Sequence, residues 1–126
     1  VTVHLLGQAA DLLELARAVL DEKVAVPARQ RARAAAHLGR LALEEIVSRL
    51  CARVGAELPR ASMRSRLVVL QVLAPPEWSR SACAAWEGLS RACHRHAYEL
   101  SPADAEIGAL LDHVAVLLLP HARKGS

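Results

Sequence analysis

The stretch from Pro27 to Val54 constrains this chain more than any other feature. It has no proline after its first residue, and its apolar residues recur at three- and four-residue steps. At about 100° per residue, Ala34, Leu38, Leu41, Ala42 and Ile46 form one stripe. Ala36, Leu43, Val47, Leu50 and Val54 form a second stripe on another side. A helix that is apolar on two sides is either the centre of a bundle or covered by a second subunit. The expectation is a homodimer formed through this helix, with the last helix as a further contact. Left in water, one such face would be a patch of the kind that marks interfaces.

The remaining elements follow from period and punctuation. Leu5, Leu6, Ala9, Leu12, Leu13, Ala16 and Leu20 define an amphipathic first helix of about five turns, ended by Val24-Ala25-Val26-Pro27. Gly55 and Pro59 stop the second helix. The run Ser62 to Ala74 has the periodicity of a buried strand or a short buried helix. Helix is preferred, because no second strand exists for it to pair with. Pro75-Pro76 opens a fourth helix with Glu77 at its positive end and Trp78, Ala82, Trp86, Leu89, Cys93 and Leu100 facing inward. Ser101-Pro102-Ala103-Asp104 has the form of a capped start for a fifth, in which Ile107, Leu110, Leu111, Val114, Leu117 and Leu118 trace a core stripe. Residues 121–126 are expected to fray. The chain reads as one domain, 1–126, an all-α, up-and-down antiparallel bundle of about five helices.

Composition narrows the function classes. The apolar share is 53%, supplied by Ala, Leu and Val, and no run approaches the roughly 20 residues of a membrane span. No membrane association is expected. Three cysteines make no disulfide framework, and no secretory pattern opens the sequence, so a cytoplasmic location is expected. Charge is uneven. Nine arginines against three glutamates fall between residues 29 and 66, whereas the flanking segments are slightly acidic. Arg29, Arg33 and Arg40 share one side of the second helix, and Arg64 and Arg66 follow in the next segment. Such a surface can hold nucleic-acid phosphates or other anions. A solvated basic face is the blander account, since the aromatics that stack on single-stranded bases are missing from this part of the sequence.

The densest polar cluster is the run from Leu89 to Pro102. Trp86, Leu89, Ser90, Arg91, Ala92, Cys93, His94, His96, Tyr98, Glu99, Leu100 and Pro102 resemble the signature of a family of small actinobacterial all-helical proteins of unassigned role. The overall helical plan resembles, more remotely, the HEPN superfamily of toxins, phage-defence proteins and RNA-processing nucleases. That second resemblance implies an Arg and a His separated by four to six residues, meeting their copies at a dimer interface to cleave RNA. Arg91 and His96 have this spacing, and so do Arg31 and His37. With fourteen arginines and six histidines in 126 positions, about two such pairs arise by chance. Five residues apart on a regular helix, Arg91 and His96 also point about 140° away from each other. As nuclease residues, His96 would be the general base on the ribose 2′-hydroxyl and Arg91 would neutralise the developing charge.

Other chemistry is less specified. Cys93 and His96 share a face and could reach one zinc, but no spacing supplies further ligands, so neither a metal site nor a cofactor is assigned. Trp78 and Trp86, eight apart, pack in a core or line a small-molecule pocket with Cys93 and Tyr98. The leading reading is a non-catalytic interaction or regulatory module that binds protein, nucleic acid or a small ligand, with RNA or protein as partner. The alternative is a HEPN-like, metal-independent endoribonuclease that uses Arg91 and His96.

Overall fold

The computed structural model describes residues 2–94 and 103–118, except for the side chains of residues 2–6. Five helices make up the described chain, with no strand among the described residues: α1 Thr2–Leu20, α2 Ala28–Arg53, α3 Met63–Leu73, α4 Pro76–Cys93 and α5 Asp104–Val116. The bundle consists of α1, α2, α4 and α5, with the short α3 at the corner between α2 and α4.

Side-chain pairs give the directions. Arg40 lies over Trp86 and Arg53 over Trp78, opposite orders along the two helices, so α2 and α4 are antiparallel. Arg31 bridges Glu22, just past α1, and Asp104, which opens α5. From that junction Arg17 reaches Asp112 at 2.8 Å, so α1 and α5 are antiparallel as well.

The centre belongs to α2. Its residues Ala36, Ala42, Leu43, Ile46, Val47 and Leu50 are all at most 1% exposed, within one core to which every helix contributes. Each large side chain among them stabilises the fold by about 1.5–3 kcal/mol. Both flanks of α2 are covered by α1, α3, α4 and α5 of the same chain. This corrects the grounds for expecting a homodimer, because the doubled stripe needs no second subunit to cover it. Leu41, assigned to the first stripe, is 50% exposed. At Gly39 the helices approach so closely that a Cβ would lie 2.7 Å from a Leu111 methyl and 3.3 Å from one of Leu89. Both leucines are fully buried.

Helix ends follow local chemistry. Past α2, Gly55 takes φ +88°, the Gly55 N–H donates to the Ala52 carbonyl, and the Ala56 N–H donates to that of Cys51, a Schellman closure. The end of α1 repeats it with Glu22 (φ 61°) in the glycine position, as the Glu22 N–H donates to Val19 and the Lys23 N–H to Ala18. The Ser62 side chain caps α3, accepting from the Ser65 N–H at 3.2 Å.

Three boundary expectations are corrected. The N-cap of α5 is Ala103, without a side-chain cap, and Asp104 is spent on Arg31 at 3.1 Å. Ser101 and Pro102, the expected cap, lie outside the described residues. The α4 helix ends at Cys93 with His94 as its C-cap, so it stops short of Leu100, itself outside the described residues. Finally, α3 is buried on one side only. Met63, Leu67 and Leu70 face the core, while Val68, Val72 and Leu73 are more than half exposed.

Candidate functional site

The seam between α2 and α4 is covered in two different ways. Near the end of α2, α3 lies across it: the Cys51 thiol donates to the Arg66 carbonyl, and the Gln71 side chain reaches Cys83 at 3.9 Å. With eleven residues against twenty-six in α2, α3 spans about 16 Å of a rod about 39 Å long. The half of the seam that α3 does not reach carries Arg40 and Arg33, with Arg29 one turn further toward the start of α2.

Here the Arg40 guanidinium stacks on Trp86, 4.3 Å from the ring centroid. Its charge, like that of Arg33, also acts on the Cys93 thiol. Trp86 and Cys93 are seven residues apart and so share a side of α4. Ser90, between them, keeps a buried hydroxyl with no partner among the described residues. Burial pushes the Cys93 thiol above its ordinary range, and the two arginines only partly oppose this. Cys93 therefore stays protonated at neutral pH and is a poor nucleophile. Arg40 is half-buried, while Arg29 and Arg33 are exposed, as are the nearby His37 and His94.

The sequence candidates divide accordingly. Arg40 stacks on Trp86, and the charges of Arg40 and Arg33 act on Cys93, a meeting of arginine and tryptophan that spacing along the sequence does not show; Arg29 is exposed one turn nearer the start of α2. Arg40 stands at the edge of α4, while Arg29 and Arg33 are exposed, as a solvated basic face would have them. Trp78 is likewise half-buried against the core, with Arg53 6.0 Å from its ring centroid. Arg53 went unassigned in the sequence, because only the α2–α4 register pairs it with Trp78.

Arg64 is exposed on α3 and separate from this cluster. The Arg66 guanidinium donates to the Leu58 and Pro59 carbonyls at 2.8 and 3.3 Å, holding the α2–α3 loop.

Arg91 points away from the seam. It lies 3.9 Å from Glu87 and lines a shallow groove of about 330 Å³ between α4 and α5, with Glu106, Leu110 and His113. His96 and Tyr98 lie outside the described residues. Arg31, of the second Arg–His spacing, is engaged with Glu22 and Asp104, and its side chain is only 19% exposed. Among the described residues no three His, Cys, Asp or Glu side chains gather to hold a metal ion. No described helix is long and apolar enough to cross a membrane. No family model, no curated protein and no solved structure matches the chain.

Proposed function

We propose that the chain is a non-catalytic binding module whose working surface is the half of the α2–α4 seam left uncovered by α3, and whose partner is single-stranded RNA. The observation that carries this reading is the arginine row meeting an aromatic ring: Arg29 and Arg33 exposed, Arg40 stacked on Trp86 at 4.3 Å. Stacking holds the Arg40 guanidinium plane in place, so less freedom is lost when it meets a phosphate or a base. Arg29 and Arg33 extend the positive charge along the helix for neighbouring phosphates. The protonated, buried state of Cys93 supports binding over nucleophilic catalysis.

Fluorescence anisotropy with a labelled mixed-sequence RNA, titrated across salt concentrations, tests the proposal. Changing Arg29, Arg33 and Arg40 together to Ala removes up to three phosphate contacts. The slope of log affinity against log salt then falls by about 2. Trp86 fluorescence responds to RNA in the parent protein. Equal binding by parent and triple variant overturns the assignment.

The nuclease alternative rests on Arg91 and His96, with Arg91 exposed in the α4–α5 groove. RNA cleavage in EDTA by the parent and not by the Arg91→Ala/His96→Ala variant would replace the binding reading with that one.

A further inference from the structure

Two surfaces outside the seam complement each other. The first is a groove of about 380 Å³ on the α1–α2 side, lined by Gln8, Asp11, Leu12, Leu15 and Glu45. Leu15 is 42% exposed, and Leu41, one turn before Glu45, adds another half-exposed leucine beside it. The groove is apolar along its floor and acidic at its rim. The second is the outer side of α3, where Arg64, Val68 and Val72 stand on successive turns, with Leu73 adjoining. Val68 and Val72 are 51% and 73% exposed, and α3 contains no acidic residue.

The geometry points to head-to-tail self-association, in which the outer side of α3 from one copy docks on the α1–α2 groove of another. The valines would cover the exposed leucines, and Arg64 would meet the Asp11 and Glu45 carboxylates. Like-with-like pairing does not offer this. Two grooves face to face would oppose their carboxylates, and two α3 helices side by side supply no acid to either Arg64. The α3 stripe is only about 12 Å long, so the contact is small, transient and sensitive to salt.

Sedimentation velocity of the whole chain over a concentration series at low salt tests this. The parent is expected to sediment faster as concentration rises and to revert in high salt. Val72→Asp, at a position too exposed to threaten folding, abolishes the effect. Arg64→Glu alone and Glu45→Arg alone each remain monomeric. Mixed together they associate, because one copy keeps an intact groove and the other an intact α3. Circular dichroism of each variant confirms that the helices are retained. A parent that stays monomeric throughout, association unchanged by Val72→Asp, or a mixture that fails to recover association would each overturn the proposal.

Discussion

The two halves of α2 solve one packing problem with different chemistry. Toward its end, where α3 crosses, the helix presents Leu43, Val47, Leu50 and Cys51, all buried. Toward its start, where α3 does not reach, alanines and Gly39 let α2 approach its neighbours, and Arg40 lies over Trp86. An arginine stem and a guanidinium plane cover apolar surface while keeping charge at the boundary with water. The half toward the end therefore supplies stability, and the half toward the start leaves charged groups at the surface.

That division can be broken by substitution. The largest effect belongs to the apolar half: Leu50→Ala lowers unfolding free energy by about 2–5 kcal/mol in urea titrations, as a cavity opens in a fully buried site. The next arises where α2 runs closest to its neighbours. Gly39→Ala costs about 1–3 kcal/mol, because the methyl meets buried Leu111 and Leu89, which have little room to move. Gly88→Ala is the control. Its Cβ would lie 2.6 and 2.7 Å from the two Leu110 methyls, but that side chain is half-buried at the α4–α5 groove and has room to turn aside, so thermal unfolding shifts less than for Gly39→Ala.

Smaller effects sharpen the comparison at the helix ends. Glu22→Gly relieves a left-handed backbone at the end of α1 and raises stability by up to about 1 kcal/mol, reduced by loss of the exposed contact to Arg31. The gain is read from the urea midpoint. Smallest of all, Arg29→Ala or Arg33→Ala changes stability by less than about 0.5 kcal/mol. A large loss from either would show that the charged half is as structural as the apolar one.

Much of the scaffold was legible in the sequence because period and punctuation are local. Ser62 at the start of α3, Gly55 as the α2 stop and Pro75-Pro76 at the opening of α4 each act within a few residues. What did not show was anything set by register between helices. That Arg40 finds Trp86 depends on how α2 and α4 slide past each other, which no single-helix pattern encodes. Arg66 illustrates a related point: an arginine counts as positive charge in a sequence, while its hydrogen-bonding to the Leu58 and Pro59 carbonyls appears only once the loop closes. The doubled stripe of α2 carried the same ambiguity. Sequence shows that two faces must be covered, but not whether the cover comes from the same chain.

The Arg31 junction has a consequence for biosynthesis. Its bond to Asp104 joins positions 73 residues apart, and its other acid, Glu22, is a near neighbour in the chain. A nascent chain leaving the ribosome can assemble α1 through α4 while Arg31 is held only from the α1 side. When α5 emerges it docks as a latch, bringing Asp104 to Arg31 and Ile107, Leu111 and Val114 into the core.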